Sequence, residues 1–309
     1  MQLLVTPVNY KNAIDLISLN TPIIAIGTKK FCERTNCYFS IKEIKKIISI
    51  KKNTKIYILI NRIFFEKQIS NLEKYLLDIV SLNKIDGIIF SDYSVPQILF
   101  EHKIKINLCY NPETLVTNYC QFNFFKKNNI NNVFLSRELN KKQVFDICSK
   151  KQKMKIFIQA SGYAFMMQSR WQLLTNFKKN KEIKEKLTSK KLYLKEEKRK
   201  QPFIIYEDEN GTSVLTGYNL CLIDKLNELF NKVDVIIVDS FLHDEKWTIN
   251  VAKIFLKAIE LLKKDTYSSK CAKDFFNKIN LISDEYISHG FFEGKKEDLI
   301  YLENNQDEK

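Results

Sequence analysis

Short runs of apolar residues alternate along the chain with longer stretches in which apolar residues recur at helical spacing. The runs are rich in Ile and Val, which is typical of strands that are buried on both faces. They predict eight strands, at residues 3–6, 23–26, 55–61, 87–91, 104–109, 132–136, 155–159 and 233–239. The stretches between them predict helices that begin near Tyr10, Ser40, Glu66, Val95, Glu113, Asn140, Asn219 and Glu245.

This order of elements predicts an α/β protein with a TIM-like (β/α)8 barrel. Strands that alternate with helices are typical of a parallel sheet, and eight such units favour a closed barrel over an open sheet. The length of 309 residues fits one barrel of about 250 residues with an insertion. No Gly-rich phosphate loop follows any of the predicted strands, which argues against a nucleotide-binding open sheet.

An insertion interrupts the alternation between the seventh and eighth strands. We assign it to about residues 161–218, where a basic segment at 178–200 has a helical pattern. Asn210-Gly211 favours a tight turn, so a hairpin is predicted at the end of the insertion. The predicted domains are the barrel at residues 1–265 and a C-terminal helix and tail at 266–309.

Composition narrows the class of protein. Apolar residues make up 45% of the chain, and no run approaches the roughly 20 apolar residues of a membrane span. The first residues lack the features of a secretion signal, and the seven cysteines have no regular spacing, so we expect a cytoplasmic protein with reduced thiols and no contact with a membrane. The net charge of +14 favours contact with phosphate backbones, although an AT-rich genome would also raise the lysine content.

The candidate site lies where the strands end, because barrels of this type carry their active sites at the carboxyl ends of the strands. Any one polar residue there could serve only as a helix cap or a loop hydrogen-bonding group, so the argument rests on their convergence. The polar residues and glycines that follow the predicted strands are Thr6, Gly27, Thr28, Asn61, Arg62, Ser91, Asp92, Asn111, Glu113, Arg137, Glu138, Gln159, Ser161, Gly162, Asp239 and Ser240.

Two interpretations of Arg137-Glu138 stay open. The two residues could form an ion pair at the start of the next helix. Alternatively, the neighbouring carboxylate could hold the Arg137 guanidinium in place to bind a carboxylate or phosphate ligand.

Peptidase chemistry would require a nucleophile, a base and an oxyanion site. The chain has neither a Gly-x-Ser-x-Gly nor a His-Glu-x-x-His motif. Of the three histidines, His102 precedes a strand and His289 lies in the tail, which leaves His243 as the candidate base. A lone histidine in a loop is more often simply solvated.

Cysteine spacing gives no specific metal site. Cys32 and Cys37 have four residues between them, a spacing that indicates a metal only when a second pair is present. Other cysteines fall within strand or helix patterns and are expected to be buried; they are Cys109, Cys120, Cys148 and Cys271.

Several segments resemble, in the same order, the collagenase-like peptidase family, which is peptidase family U32. Glu207-Asp-Glu-Asn-Gly211, followed by Leu220-Cys-Leu-Ile223, resembles a hairpin of that family that runs into Asp-Leu-Cys-Leu-Ile. Further collinear matches extend to about Ala258. They are Leu3-Leu-Val-Thr-Pro7, Ala25-Ile-Gly-Thr28, Ile58-Leu-Ile-Asn61, Asp86-Gly-Ile-Ile-Phe-Ser-Asp92 and Phe134-Leu-Ser-Arg-Glu-Leu139.

The chain departs from the family at several positions. Ser161-Gly162 stands where the family has His-Gly, Phe157 replaces a Glu, and Phe165 and Gln172 replace two cysteines. Cys221 alone keeps a position that ligates a 4Fe-4S cluster in relatives, and one thiolate cannot hold such a cluster. Ile237-Val-Asp-Ser-Phe241 also differs from the family's Lys-Ile-Glu-Gly-Arg. The resemblance therefore implies no cofactor and no metal here, with the cluster expected only in a partner paralogue.

These departures resemble the shorter, cluster-free paralogue that is often paired with a longer, cluster-bearing one. The resemblance implies a subunit of a prephenate-dependent system that forms 5-hydroxyuridine at the wobble position of tRNA. The implied partners are tRNA, the longer paralogue and a prephenate-like molecule. Two alternatives stay open, which are a collagenase-like peptidase and a non-catalytic scaffold for the longer paralogue.

The resemblance and the strand ends together give the candidate site residues. Arg137 would orient a carboxylate, and basic residues of the insertion would contact tRNA phosphates. The catalytic candidates are Arg137, Glu138, Asp239 and His243. The substrate-binding candidates are Asn61, Asn111, Arg137, Ser161 and Gly162. The RNA-binding candidates are Lys179, Lys184, Lys191 and Arg199.

Overall fold

A computed structural model describes residues 1–183, 191–197 and 201–294. Its strands are β1 (Gln2–Val5), β2 (Ile23–Gly27), β3 (Lys55–Ile60), β4 (Gly87–Phe90), β5 (Leu108–Tyr110), β6 (Ile130–Phe134), β7 (Lys155–Ser169), β8 (Leu192–Leu194), β9 (Phe203–Asp208), β10 (Gly211–Cys221), β11 (Val235–Val238) and β12 (Ile287–Ser288). Its α-helices are α1 (Tyr10–Ser18), α2 (Ile41–Ile50), α3 (Ile69–Val80), α4 (Ser94–Glu101), α5 (Phe122–Lys127), α6 (Lys141–Ser149), α7 (Leu173–Asn180), α8 (Leu226–Leu229), α9 (Glu245–Lys263) and α10 (Ser269–Ile282).

A closed parallel barrel forms the centre of the protein. Strands β1 to β7 lie side by side in chain order, and β11 pairs in parallel with both β1 and β7. The register is continuous across the closure, because Val235 lies opposite Gln2 on one side and Phe157 on the other. The predicted (β/α)8 barrel is therefore confirmed, with β11 as its eighth strand.

Alternate side chains of each strand fill two separate layers. In β1, Leu3 and Val5 pack against the surrounding helices, whereas Leu4 points into the barrel. The interior layer includes Ile89 and Phe157, and it fills the lower barrel with apolar side chains. Since both faces of each strand are buried, the strands are apolar at nearly every position, which is why the Ile- and Val-rich runs predicted them.

Side-chain caps fix the starts of several helices. Ser40 caps α2 in a reciprocal pair with Glu43, and Asn140 caps α6 in the same way with Gln143. Asp244 caps α9 by accepting a hydrogen bond of 2.7 Å from a backbone N–H. These caps lie at or beside predicted helix starts, and those starts are confirmed.

Three local predictions were wrong. No helix begins near Glu113, since α5 starts at Phe122 after a single 3-10 turn. Asn219 does not begin a helix either, because β10 continues through it and pairs with both β7 and β12. The fifth strand is shorter than predicted, since Ile104 ends the turn after α4 by donating its N–H to Leu99.

The insertion is an antiparallel extension of β7. This strand continues beyond the barrel and pairs with β10, which pairs with β9 in the predicted hairpin, and β8 adds an outer strand. At the departure point Gly162 has φ +107°, and a Cβ there would lie 2.2 Å from the carbonyl oxygen of Asp239. The basic segment at 178–200 contains the end of α7 and strand β8, and its residues 184–190 and 198–200 lie outside the described part.

The C-terminal segment packs back on the barrel. Strand β12 pairs in parallel with β10, and α10 runs antiparallel to α9, since Trp247 Nε1 at the start of α9 donates to Ser283 Oγ after the end of α10 at 3.3 Å. The start of α10, with the exposed Lys270 and Lys273, therefore lies at the far end of the barrel from the carboxyl ends of the strands. Within the described residues, no helix is long and apolar enough to cross a bilayer.

Candidate functional site

A polar cavity of about 50 Å³ lies at the carboxyl ends of the barrel strands. Its floor is apolar, and its walls carry the polar groups. Four of the predicted site residues line it, namely Asn61, Asn111, Arg137 and Asp239. Thr6, Arg34 and Glu113 contribute further polar groups. The expected convergence of strand-end side chains at one mouth is thus observed for these residues.

Arg137 follows β6 and is buried in the wall. Its Nη1 donates to Glu113 Oε2, and its Nε donates to Gln159 Oε1. Gln159 is itself fixed, because its Nε2 donates to the carbonyl oxygen of Tyr163 at 3.0 Å. The carboxylate that holds Arg137 is therefore Glu113, whereas the adjacent Glu138 is exposed to solvent and does not line the cavity.

Arg34 is a second buried guanidinium, and sequence reasoning missed it. Its Nη2 donates to Glu113 Oε1 at 3.1 Å, and its Nη1 donates to Glu33 Oε1 at 2.5 Å. It also donates to Gln168 Oε1 at 2.9 Å and lies 4.5 Å from the ring centre of Phe165. Glu113 thus bridges two arginines that come from loops after different strands, and these three residues form what we call the arginine–glutamate bridge.

The backbone at two members of this bridge is strained. Arg34 has φ 51° and Glu113 has φ 66°, a left-handed conformation that non-glycine residues rarely adopt. Such strain persists only where surrounding contacts hold it. Glu33-Arg34 lies between Cys32 and Cys37, the two cysteines whose spacing was considered for a metal site. The adjacent opposite charges after the second strand were the sequence signal that could have indicated Arg34.

Burial and the opposite charges act against each other on Glu113. Desolvation raises its pKa, but Arg137 and Arg34 lower it more strongly, so the net pKa is below the usual value. Burial likewise lowers the pKa of Arg34, and Glu113 and Glu33 more than reverse that effect. A carboxyl group with a lowered pKa stabilises the fold at pH values above its pKa in the unfolded chain, which is about 4.3. This contribution is lost as the pH falls through its pKa in the folded chain.

Asp239 has the opposite shift. Desolvation raises the pKa of its carboxyl, although the Phe241 N–H at 3.1 Å and the charge of Arg137 act in the other direction. Thr6 Oγ1 donates to Asp239 Oδ1 at 3.1 Å. The mouth therefore holds one firmly ionised carboxylate beside two arginines and one carboxyl group that is easier to protonate.

Asn61 and Asn111 position the loops that carry the bridge. Asn61 Oδ1 accepts from the Glu33 N–H at 3.1 Å, and its Nδ2 donates to the Glu33 carbonyl oxygen at 3.0 Å. Asn111 Oδ1 accepts from the Glu113 N–H at 3.3 Å. Both amides line the cavity, but these contacts already fix the orientation of Glu33 and Glu113.

Ser161 and Gly162 lie behind the wall and do not line the cavity. Ser161 is fully buried, and its hydroxyl makes no hydrogen bond within the described residues. The Gly162 N–H donates to Asn219 Oδ1 at 2.9 Å, which joins β7 to β10. In this structure the two residues shape the junction between the barrel and the insertion.

His243 also lies outside the cavity. Its ring is stacked between Trp247, at 3.6 Å between ring centres, and Tyr163, at 4.7 Å. Burial lowers the pKa of His243 to about 3, and Lys191 acts in the same direction, so the ring is neutral at neutral pH. Among the described residues that line the cavity there is no histidine, cysteine or serine.

The cysteines do not form a site for a 4Fe-4S cluster. Cys221 ends β10 fully buried, and burial raises the pKa of its thiol to about 12. By the family resemblance, Phe165 and Gln172 replace two cluster cysteines, and neither side chain supplies the thiolate that such a cluster requires. Within the described residues, no group of three or more His, Cys, Asp or Glu side chains could hold a metal ion.

Other cysteines divide between buried and accessible positions. Cys32, Cys109 and Cys148 are buried, whereas Cys37 is partly exposed. The expected burial of Cys120 and Cys271 was wrong, because Cys120 lies in an exposed 3-10 turn and Cys271 lies half-buried in the first turn of α10.

The RNA-binding candidates are placed differently from one another. Lys179 is exposed near the end of α7. Lys191 is half-buried, and its Nζ lies 2.8 Å from both Glu285 Oε1 and Tyr163 Oη. Lys184 and Arg199 lie outside the described residues. Lys179 is thus a basic group open to solvent, whereas Lys191 joins β8 to the C-terminal segment.

Comparison with known proteins gives matches along nearly the whole chain. The sequence model of peptidase family U32 matches residues 9–300. The tRNA hydroxylation protein P2 of Bacillus subtilis (strain 168) is 28% identical over 302 residues, which cover 94% of this chain and 97% of that protein.

Solved structures show weaker similarity. The U32 peptidase Mk0906 is 11% identical, with 53% of this chain and 70% of that chain covered and a TM-score of 0.44. Thiamine phosphate pyrophosphorylase from Pyrococcus furiosus is 9% identical, with 84% and 96% covered and a TM-score of 0.44.

Substitution of Glu113 by Gln should test the arginine–glutamate bridge. Glu113→Gln leaves two buried guanidinium groups without their shared carboxylate, so we expect the free energy of unfolding to fall by roughly 3 kcal/mol. Urea denaturation at neutral pH measures this change. Glu138→Gln removes the same charge from an exposed position in the chain beside Arg137 and should change stability by less than about 0.5 kcal/mol. Equal effects of the two substitutions would contradict the assignment of Glu113 as the partner of Arg137.

Substitution of His243 by Phe should change the pH dependence of stability. In the wild type the unfolded chain binds a proton on His243 below about pH 6.5, whereas the folded chain does not until about pH 3, so stability decreases as the pH is lowered through this interval. His243→Phe keeps a ring in the stack and should remove roughly 2 kcal/mol of the loss between about pH 7 and pH 5. Urea denaturation at both pH values measures it. His102→Gln, at an exposed position, is the control. If His243→Phe shows the same pH dependence as the wild type and this control, then His243 can be protonated in the fold.

Proposed function

The chain belongs to peptidase family U32, and from that premise we propose that it supports tRNA hydroxylation as one subunit of a system that forms 5-hydroxyuridine at the wobble position. The observation that carries the proposal is the nearly full-length match to the tRNA hydroxylation protein P2, which includes 97% of that protein. The match therefore extends over nearly the whole length of both proteins.

The mouth is suited to a ligand that carries a carboxylate. Arg137 uses Nε and Nη1 in its contacts, and within the described residues its Nη2 donates to no other group. A ligand carboxylate could bind there with charge-assisted hydrogen bonds. Burial raises the pKa of Asp239, so its carboxyl group is protonated more readily than a free aspartic acid, and the protonated form would not repel such a ligand. A prephenate-like molecule is the ligand that the family resemblance suggests.

The narrow mouth must widen before such a ligand enters. Its cavity of about 50 Å³ is well below the roughly 300–1,000 Å³ of typical small-molecule sites. Arg34 closes the cavity through contacts with Glu33, Glu113 and Gln168. We propose that the ligand carboxylate takes over part of the pairing of Arg34 and Arg137, which would allow the Arg34 loop to move outward.

We place the redox chemistry in a longer, cluster-bearing paralogue. The support for this is that Phe165 and Gln172, which by the family resemblance replace two cluster cysteines, have no group that ligates the iron of such a cluster. The role proposed for this chain is therefore to bind the carboxylate ligand and the tRNA within a hetero-oligomer. A peptidase is less well supported, because no described histidine, cysteine or serine lines the cavity.

Mass spectrometry of tRNA nucleosides tests the proposed function. Deletion of the gene should abolish 5-hydroxyuridine and its derivatives, and the wild-type gene should restore them. Arg137→Lys keeps the charge but cannot reproduce the two-point contact to Glu113 and Gln159, so we expect at least about tenfold less restored product. Lys270→Ala, at the far end of the barrel, is the control and should restore the product fully.

An unchanged nucleoside profile after deletion would contradict the proposal. Hydrolysis of gelatin by the purified protein would then favour a peptidase, provided that the activity survives purification and is lost in His243→Ala. Full restoration by Arg137→Lys would instead leave the tRNA role in place and contradict the assignment of Arg137 as the residue that binds the carboxylate of the ligand.

A further inference from the structure

A second, basic pocket lies beside the mouth of the barrel. It has a volume of about 450 Å³, and its lining includes Lys29, Lys30, Arg62 and the ring of Phe64. The two lysines follow β2, and Arg62 follows β3 directly after the cavity-lining Asn61. The pocket therefore opens at the same end of the barrel as the polar cavity, and of its three cations only Arg62 was among the candidate residues from the sequence.

Positive charge dominates this pocket. Three cations line it against one acid, Glu209, which gives a net charge of +2 for these side chains. Glu209 pairs with Lys29 at 3.8 Å, and both side chains are more than half exposed, so this ion pair is weak and easily exchanged for another anion. Arg62 Nη1 donates to the Lys30 carbonyl oxygen at 3.1 Å, which keeps the two cations close together.

Exposed aromatic residues adjoin this pocket in the chain, since Phe65 comes three positions after Arg62 and Trp171 follows Arg170. Arg170 Nη2 donates to the carbonyl oxygen of Ile63, and its guanidinium lies 4.1 Å from the ring centre of Phe65. Phe65 is 54% exposed, and Trp171 is 73% exposed. Stacking on the Arg170 guanidinium covers one face of the Phe65 ring and leaves its other face open to solvent. We call the surface formed by Lys29, Lys30, Arg62, Phe65, Arg170 and Trp171 the basic rim.

We propose that the basic rim binds a single-stranded loop of RNA, with a backbone phosphate in the pocket and a base stacked on Trp171. Cationic pockets bind phosphates, and exposed aromatic rings beside them stack on unpaired bases, which is the combination that single-stranded nucleic acids require. The inference rests on the proposed function, and it adds where the tRNA loop docks. This surface is distinct from the predicted RNA-binding lysines of the insertion.

The rim also satisfies a geometric requirement of that function. A base that is modified by the hetero-oligomer must leave its stack, and its neighbours must be held nearby in an unstacked strand. The chain passes directly from the cavity residue Asn61 to the pocket residue Arg62, so the two sites are adjacent. A larger groove of about 1130 Å³, which includes Phe100 and Lys105, lies between α4 and α5 on the side of the barrel and is the competing surface.

Binding of a labelled RNA to the purified full-length chain tests the rim. The probe is a fluorescein-labelled anticodon stem-loop with uridine at the wobble position, and its anisotropy is titrated at several salt concentrations. Lys29→Glu/Lys30→Glu should weaken binding at least about tenfold and reduce the salt slope by about 0.7 for each phosphate that the variant no longer neutralises. Trp171→Ala should weaken binding about tenfold, and Trp171→Phe should recover most of it because the aromatic face is kept.

Matched controls separate the rim from general charge and apolar effects. Lys270→Glu/Lys273→Glu makes the same change in net charge at the far end of the barrel and should have a much smaller effect on affinity. Phe100→Ala removes a ring that is 73% exposed, as Trp171 is, and should not change affinity. Equal loss of affinity in the lysine controls, or greater loss in Phe100→Ala than in Trp171→Ala, would overturn the proposal. Absence of binding by the wild-type chain would overturn it as well.

Nucleoside analysis of cells that carry the same variants distinguishes failure of the rim from failure of the proposed function. If deletion abolishes 5-hydroxyuridine and Lys29→Glu/Lys30→Glu restores it fully, the rim proposal fails and the tRNA role stands. If deletion leaves the nucleoside unchanged, the proposed function fails, and the binding titration alone then decides whether the rim binds RNA. Low product together with weak binding in the rim variants supports both.

Discussion

The mouth of the barrel depends on one interaction, the sharing of the Glu113 carboxylate between Arg34 and Arg137. Arg34 lies after β2, Glu113 after β5 and Arg137 after β6, so the interaction ties together loops from both halves of the barrel. Each of the three side chains is at most 10% exposed. Isolated charges at such depth would be strongly disfavoured, and pairing is what allows all three to remain ionised.

This interaction also makes the mouth a candidate ligand site rather than a purely structural core. Glu113 shares its charge between two cations, so the bridge and its immediate partner Glu33 hold two positive and two negative charges. Asp239, with its raised pKa, adds a carboxyl group that can be neutral. A ligand carboxylate can therefore exchange with existing pairs without leaving a buried cation alone. The strained backbone of Arg34 and Glu113 is consistent with loops that are held in place for function.

Local sequence patterns predicted most of the barrel and part of the site. Each of these features has a signal within a few positions of the chain. Apolar runs indicate buried parallel strands, and a turn-forming pair such as Asn210-Gly211 indicates a hairpin. Polar residues directly after the strands, such as Arg137 and Asp239, indicate the mouth. The failures came from contacts that are distant in sequence. Asn219 is held in a strand by β7 and β12, and Glu113 pairs with arginines 79 and 24 residues away. Neighbouring residues give no sign of these partners, so the sequence indicates Glu138 only as one candidate carboxylate for Arg137 and does not indicate Arg34.

The proposed role of this chain depends on the binding of a carboxylate ligand at the mouth through Arg137. Isothermal titration calorimetry of prephenate into the purified full-length protein measures this binding, with Arg137→Ala as the comparison and circular dichroism to confirm that the variant is folded. We expect saturable binding to the wild-type protein and at least about tenfold weaker binding to folded Arg137→Ala. No binding to the wild-type protein, or equal binding to both proteins, would contradict it.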